Sequence, residues 1–180
     1  MSTLRALVVA AALIGGAASA AETPHLGRPA TPAEIQAVDI SVPPDGSTLP
    51  KGSGTVAQGA VVFAQQCQVC HNAAGAGGPN DRLTGGVGSL TTDKPIKTVA
   101  SFWPYATTVF DYVRRAMPWP APQSLSNDDV YAVVAYLLSV DGIVPANARL
   151  DAKTLPLVKM PNREGFQSWA DRYRPKTASR

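Results

Sequence analysis

The most constraining feature of this sequence is a group of three reactive residues within five positions. Cys67 and Cys70 are separated by two residues, and His71 follows the second cysteine directly. A C-x-x-C-H sequence is the attachment signature of a c-type haem. Each thiol can bond one vinyl group of the same porphyrin, and the adjacent histidine becomes an axial ligand of the iron. The sequence therefore predicts one covalent haem c, with His71 as an iron ligand.

Two other kinds of site also use a C-x-x-C pair. A thioredoxin-like dithiol is expected near a strand–helix–strand unit, and no strand pattern precedes Cys67. A structural zinc site needs four ligands, whereas the chain has two cysteines and two histidines, one of them (His25) far away near the N-terminus. We expect His25 to be exposed and to bind no metal. Haem attachment is therefore favoured over both alternatives.

A methionine is expected as the second axial ligand, because His/Met ligation raises the reduction potential and suits electron transfer. Besides Met1, methionine occurs only at positions 117 and 160. Pro118 disfavours the helical conformation at Met117, so the chain should leave a helix there and present the sulfur on a loop. Met160 also precedes a proline but lies beyond the last predicted helix. We expect Met117 to be the ligand; the alternative is that it only fills the core.

A haem-ligating histidine usually donates its other ring N–H to a carbonyl, which fixes the orientation of the ring. The loop after His71 contains Gly77-Gly78-Pro79. Pro79 is rigid and has no N–H group of its own. We therefore expect the Pro79 carbonyl to be the acceptor, and Pro79 to belong to the haem site.

Aromatic side chains with a polar tip flank Met117. We expect Trp103 and Tyr105 to contact the haem, since their polar atoms could bond a propionate, and Trp119 is a further candidate. Core packing is the alternative for each of them. Arg114 and Arg115 could also pair with propionates or a partner, but two adjacent arginines on a helix more often form a solvated face.

The N-terminus has the pattern of a secretory signal. Arg5 supplies a positive charge, residues 6–18 are apolar, and Ala18-Ser19-Ala20 provides a small-x-small cleavage site. We therefore predict a signal peptide over residues 1–20, a mature chain that starts near Ala21, and location in the periplasm. No later segment approaches the roughly 18 apolar residues of a membrane span, so we expect no span after cleavage.

The net charge of +3 is concentrated at the C-terminus. Residues 21–162 contain 10 basic and 11 acidic side chains, whereas five basic and two acidic residues occur from Arg163 onward. A nucleic-acid-binding protein would show a basic stripe on its folded domain. We therefore expect no nucleic-acid partner.

Hydrophobic periodicity divides the mature chain into three parts. An extended arm (21–54) rich in proline and glycine precedes a helical domain (55–141), and a polar, proline-interrupted tail (142–180) follows it. Within the domain we predict helices over about 55–66, 94–102, from 108 onward, and 126–140. Their expected N-terminal caps are Asp93 for the second, a Thr108/Asp111 capping box for the third, and Ser126 for the last. No strand is predicted, so the pattern indicates an all-α fold.

The order of these motifs resembles class I cytochrome c. That family packs an N-terminal helix with a Gly-x-x-x-aromatic pattern across a C-terminal helix with an aromatic-Leu pair, which here are Gly59…Phe63 and Tyr136-Leu137. Between them stand C-x-x-C-H, Gly78-Pro79 and Met117-Pro118, in the family's order. The resemblance covers about residues 55–141. It implies a small helical haem domain of the class I cytochrome c fold, here with extended N- and C-terminal arms, and one-electron transfer.

A narrower resemblance extends into both arms. Segments 38–54, 102–118, 122–126 and 154–163 look like the cytochrome subunit of Sox-type sulfane dehydrogenase and the cytochromes that serve molybdenum sulfite dehydrogenases. This resemblance implies that a molybdopterin dehydrogenase subunit oxidises a sulfur compound and donates electrons to the haem, which passes them to a downstream cytochrome or oxidase. Some cytochromes of that group carry two haem motifs, whereas this chain has one.

Two other functions are compatible with the same motifs. One is a free-standing electron shuttle for an unrelated periplasmic dehydrogenase. The other is a haem protein with a labile distal position that binds a gas or reduces peroxide, in which Met117 would only pack. In the favoured interpretation the chain itself transforms no substrate, and catalysis would belong to a complex of which it is the haem subunit.

Overall fold

The computed structural model describes residues 26–170 and divides them into two units, residues 26–38 and 39–170. In the first unit, helix α1 (Pro32–Val38) starts with a capping box that the sequence analysis did not predict. The Thr31 hydroxyl accepts a bond from the Glu34 N–H (3.3 Å), and the Glu34 carboxylate accepts one from the Thr31 N–H (2.8 Å). His25 and the predicted signal peptide lie outside the described residues.

The second unit is mostly helical, as the sequence predicted. Its elements, in chain order, are β1 (Ser53–Thr55), α2 (Val56–Gln66), α3 (Gln68–His71), α4 (Val99–Phe102), α5 (Ala106–Ala116), α6 (Asn127–Val140) and β2 (Arg149–Asp151). Single 3-10 turns cover Ala73–Gly75, Ser89–Thr91 and Leu155–Leu157. No helix within residues 26–170 has the length and apolar character needed to cross a membrane.

Helices α2 and α6 form the centre of the fold. Thr55 and Gln58 form a capping box at the start of α2, and the Ser126 hydroxyl accepts the Asp129 N–H at the start of α6. Gly59 is buried against α6, and the rings of Phe63 and Tyr136 lie 5.2 Å apart. Because most of α6 is buried, it serves as the core against which the other elements pack.

The helix predicted from Lys94 is only a single turn, α4, and Thr98 rather than Asp93 is its N-cap. The Thr98 hydroxyl accepts the Ser101 N–H (3.1 Å), and the Ser101 hydroxyl accepts the Thr98 N–H (2.9 Å). Thr98 also donates to the Gly85 carbonyl (2.6 Å). The bond from Thr98 to the Gly85 loop fixes the start of the helix at this residue. Residues 94–97 therefore stay outside the helix, although their apolar periodicity continues into it.

Helix α5 begins at Ala106, and the expected capping box of Thr108 and Asp111 does not form. The Thr108 hydroxyl donates to the Tyr105 carbonyl (2.8 Å), while the Asp111 carboxylate accepts the N–H of Val42 in the N-terminal arm (2.8 Å). The helix ends at Met117, whose backbone is extended (φ −118°, ψ 149°). The chain therefore leaves the helix where Pro118 predicts that it should.

Both arms of the second unit join the core. Strand β1 pairs antiparallel with β2, and Gly54 lies opposite Leu150. The segment after α6 is not simply a polar tail, because Leu155 and Met160 are 0% and 3% exposed. Three-residue strands separated by almost a hundred positions give no detectable pattern in the sequence, which explains why the sheet was not predicted.

Candidate haem site

A cavity of about 880 Å³ opens beside α3. Six of the seven residues predicted to bind the cofactor line it: Cys67, Cys70, His71, Pro79, Trp103 and Met117. The rest of its lining is largely apolar and includes Phe63, Leu83, Val99, Phe102, Val109, Val113, Val133 and Leu137. A cavity of this size with apolar walls and a few convergent polar groups is typical of a cofactor site.

The C-x-x-C-H motif is folded into one tight turn at the junction of α2 and α3. The Cys67 N–H donates to the Phe63 carbonyl (2.9 Å), and the His71 N–H donates to the Cys67 carbonyl (3.0 Å). Cys67 and Cys70 are not joined by a disulfide. Burial, with a smaller contribution from Cys70, raises the pKa of the Cys67 thiol to about 11, so this thiol is protonated at neutral pH.

The ring of His71 is oriented by a backbone carbonyl, as expected, but the acceptor belongs to Asp81 and not to Pro79. Nδ1 lies 2.8 Å from the Asp81 carbonyl oxygen. A carbonyl can only accept, so Nδ1 carries the proton and Nε2 is the nitrogen available to a metal. The Asn80 N–H donates to the Cys70 carbonyl (3.0 Å). This bond folds the loop back on α3. As a result the carbonyl of Asp81, the residue after Asn80, meets the His71 ring, and that of Pro79, the residue before it, does not.

The loop that follows is anchored to three separate elements. The Val99 N–H donates to the Leu83 carbonyl (3.0 Å), and the Thr84 hydroxyl donates to the Ala74 carbonyl (2.8 Å). The Gly85 N–H donates to both carboxylate oxygens of Asp141, at 2.7 and 3.0 Å. These bonds hold Leu83 in the cavity wall.

The two methionines have different surroundings. Met117 lines the cavity together with the segment that follows it, Pro118 to Ala121. Met160 is 3% exposed, belongs to the hydrophobic core, and does not line the cavity. The structure thus presents Met117, and not Met160, to a cofactor in this cavity.

Two of the three aromatic residues expected at the haem line the cavity. Trp103 lines the cavity and packs edge-on against Tyr112, with ring centroids 5.7 Å apart. Tyr105 does not line it, contrary to expectation; its ring instead faces the guanidinium of Arg163, 4.1 Å from the centroid. Trp119 lines the cavity while remaining 76% exposed.

The adjacent arginines before Met117 do not line the cavity. Arg114 donates to the Ile40 carbonyl (2.9 Å), and Arg115 forms an ion pair with Asp111. Arg115 is exposed, in keeping with the solvated face that was expected. Arg114 is half-buried and binds the N-terminal arm, which was not predicted.

Three functional candidates were missed by the sequence analysis. Arg82 and Lys97 are the basic residues of the cavity lining, and Tyr112 lies between Val109 and Val113 in its wall. The i, i+3, i+4 spacing of these three α5 residues could have indicated Tyr112. Nothing local distinguishes Arg82 or Lys97, because only the folding of two separate loops brings them to the cavity.

The residues present fit a c-type haem. Two thiols, one imidazole nitrogen and one thioether line an apolar cavity, together with two cationic side chains. Arg82 also donates to the Ala76 carbonyl, and Lys97 lies over the Phe102 ring. Within residues 26–170, no cluster of three His, Cys, Asp or Glu side chains is suited to hold a metal ion. The donor set thus matches haem attachment and not a multidentate protein metal site.

Comparison with known proteins agrees with this geometry. The sequence model of the family described as Cytochrome c matches residues 56–141. The fold is similar to a chain in the crystal structure of the sulfane dehydrogenase SoxCD from Paracoccus pantotrophus, with 43% identity and a TM-score of 0.76, over 88% of this chain and 79% of that one. No curated protein sequence matches. A cytochrome c domain with this cysteine spacing implies covalent haem c, and the chain belongs to the cytochrome c family.

Proposed function

We propose that this protein is a periplasmic mono-haem cytochrome c that accepts single electrons from a molybdenum-containing sulfite or sulfane dehydrogenase subunit, as the haem subunit of that complex. The observation that carries the proposal is the 43% identity to the SoxCD chain, because it extends over 88% of this sequence. A generic electron shuttle would need to share only the haem domain. Similarity that also includes residues outside the domain supports a common partner.

The side chains of the cavity have distinct roles in this proposal. Cys67 and Cys70 would hold the porphyrin covalently, and His71 Nε2 and the Met117 sulfur would ligate the iron. Haem bound in this way supplies a one-electron couple between ferric and ferrous iron. The Asp81 carbonyl accepts a hydrogen bond from the Nδ1–H group of His71, which fixes the tautomer and increases the basicity of the ligating nitrogen.

The walls of the cavity control the electrostatics of the site. Phe63, Val133 and Leu137 exclude water from one side. A low dielectric disfavours the extra positive charge of the ferric state, so these walls favour reduction. Val69 lines the same cavity and is 78% exposed, so a partner protein can approach the site closely enough for electron transfer.

Export is the second part of the proposal. It is supported by the signal-peptide pattern over residues 1–20, with cleavage near Ala21. Covalent attachment also suits an exported protein, because thioether bonds prevent loss of the cofactor.

The experiment that tests the proposed function uses affinity-tagged protein isolated gently from its native periplasm. Its visible spectrum is recorded before and after the addition of sulfite, and then of a sulfane-sulfur donor. We expect rapid appearance of the reduced α-band and a molybdenum protein in the same fraction. Reduction by dithionite but not by the sulfur compounds, with no copurifying partner, would overturn the subunit assignment and leave a free electron shuttle.

A further inference from the structure

Residues 40–44, which we name the strap, are hydrogen-bonded along one face of α5. The Thr107 hydroxyl donates to the Pro44 carbonyl (2.7 Å). The Val42 N–H donates to the Asp111 carboxylate (2.8 Å), and Arg114 donates to the Ile40 carbonyl (2.9 Å). Three polar residues of the helix thus bind three alternate positions of the strap.

The register of these bonds is regular. Thr107, Asp111 and Arg114 have i, i+4, i+7 spacing and share one face of the helix. These spacings correspond to steps of about 6 and 4.5 Å along the helix axis, and each step is matched by two residues of the strap. As α5 runs forward from 107 to 114, the strap runs backward from 44 to 40. The strap therefore fixes both the position and the rotation of the helix.

The centre of the contact is buried, although the strap residue at its end, Pro44, is exposed. Val42 is 3% exposed and Thr107 is 1% exposed. Hydrogen bonds shielded from water are costly to leave unmade, and the Val42 N–H and the Thr107 hydroxyl each make theirs in this contact. The strap is thus a fixed part of the domain and not a loosely attached arm.

The opposite face of α5 belongs to the haem cavity. Val109, Tyr112 and Val113 line it, and Met117 follows the last turn of the helix. The Met117 N–H donates to the Val113 carbonyl (3.0 Å), so a displacement of the helix would move the methionine with it. The helix is held by the strap on one side and faces the cofactor on the other.

We propose that the strap positions Met117 and so determines how readily its sulfur leaves the iron. This inference rests on the His71/Met117 ligation of the proposed function. Each strap bond resists the movement of α5 that releases the sulfur, so its loss lowers the barrier to opening. Thr107, Asp111 and Arg114 are positioning residues in this scheme, because none of them lines the cavity.

The test measures how fast imidazole replaces the methionine in the full-length ferric holoprotein. We expect Asp111→Ala, Arg114→Ala and Thr107→Val each to accelerate binding roughly five-fold, the factor that corresponds to one ordinary hydrogen bond. Thr107→Ser, which keeps the hydroxyl, should retain the wild-type rate. Because Thr107→Val preserves shape and apolar packing, it tests the proposal even if the other two variants fold poorly.

Two controls separate positioning from general stability. The Asp128 carboxylate accepts the N–H of Ser53 in the N-terminal arm (2.7 Å), as Asp111 accepts that of Val42, but Asp128 lies on α6 and not on α5. Asp128→Ala therefore removes a similar bond from a different helix. Arg115→Ala removes the ion pair with Asp111 and leaves the strap bond in place. Both controls should bind imidazole within two-fold of the wild-type rate.

The possible failures are distinguishable. Strap variants that keep the methionine–iron charge-transfer band and bind imidazole at the wild-type rate would overturn the strap proposal and leave the ligation intact. A wild-type protein without that band would overturn the ligation itself and the strap proposal with it. Faster amide hydrogen exchange at 113–117 in the strap variants, and not in Asp128→Ala, would support the proposal independently of ligand binding.

Discussion

A methyl group built on Gly59 of α2 would stand 1.9 Å from the carbonyl oxygen of Ala132 in α6. Real Cβ atoms do not approach other atoms so closely, so the two helices can pack at this distance only because residue 59 has no side chain. Cys67 lies one residue after α2, and Leu137 of α6 lines the cavity. The close contact at Gly59 therefore fixes two walls of the haem site relative to each other.

The first prediction concerns this contact. Gly59→Ala should lower the free energy of unfolding by about 2 kcal/mol, because an overpacking cost of roughly 3 kcal/mol outweighs the roughly 1 kcal/mol that alanine gains in helix propensity. Guanidinium unfolding of the holoprotein measures the difference. Ala64→Gly at an exposed position of the same helix is the control and should cost about 1 kcal/mol. A Gly59→Ala variant more stable than the wild type would contradict the packing argument.

The second prediction distinguishes the two methionines. Met117→Ala should abolish the methionine–iron charge-transfer band and allow CO to bind the ferrous protein rapidly. Met160→Ala should leave both properties unchanged but lower the free energy of unfolding by roughly 2–5 kcal/mol, since it empties a buried site. If the ferrous wild type already binds CO rapidly, and Met117→Ala binds it at the same rate, Met117 is not a stable ligand. That result would favour a haem with a labile distal position.

The third prediction concerns pH. The buried hydroxyl of Tyr131 donates to the Pro50 carbonyl (2.9 Å), and burial, with the charge of Asp151, raises the pKa of Tyr131 to about 12. The pKa of Tyr131 in the folded state exceeds its unfolded value of about 10. The stability that the protonated hydroxyl contributes is therefore fully present below pH 10 and is lost as the pH rises toward 12. Tyr131→Phe should cost about 1 kcal/mol near neutral pH.

Urea unfolding of the wild type and Tyr131→Phe from pH 7 to 11 measures this effect. We expect the stability difference between the two proteins to shrink above pH 10, where only the wild type has a tyrosine at this position to ionise. A difference that stays constant over the whole range would show that the Tyr131 hydroxyl has the same pKa in both states.

The fourth prediction concerns charge at the cavity. Lys97 lines the cavity, whereas Lys94, three positions earlier, does not. Lys97→Gln should lower the reduction potential of the haem, because a nearby cation disfavours the ferric state. Lys94→Gln should change the potential less. Equal shifts in a redox titration of the two variants would mean that Lys97 acts only through the net charge of the protein.

The features that could be predicted from sequence are those set by local chemistry. The C-x-x-C-H turn, the cap of α6, the close packing at Gly59 and the end of α5 before Pro118 all follow from residues a few positions apart. The family resemblance and the mostly helical fold followed from the order of these local motifs, and the comparisons confirm both.

The missed capping boxes of α1 and α2 are local and could have been read from the sequence. The other features that were missed depend on contacts between distant segments. Thr98 caps α4 while also binding Gly85, and Asp111 accepts an N–H from Val42 instead of capping its own helix. The carbonyl that orients His71 comes from Asp81 because of how the loop folds back on Cys70. Propensity and periodicity describe single segments, so they could not indicate which of these partners would meet.

The proposed function requires one haem attached covalently in this cavity through Cys67 and Cys70. The intact mass of the purified protein under denaturing conditions tests this attachment, with the Cys67→Ala/Cys70→Ala double variant as the control. We expect the mass of the mature polypeptide plus one haem for the wild type, and that of the bare polypeptide for the double variant. A wild-type protein that loses its haem on denaturation, or that carries none, would contradict this attachment.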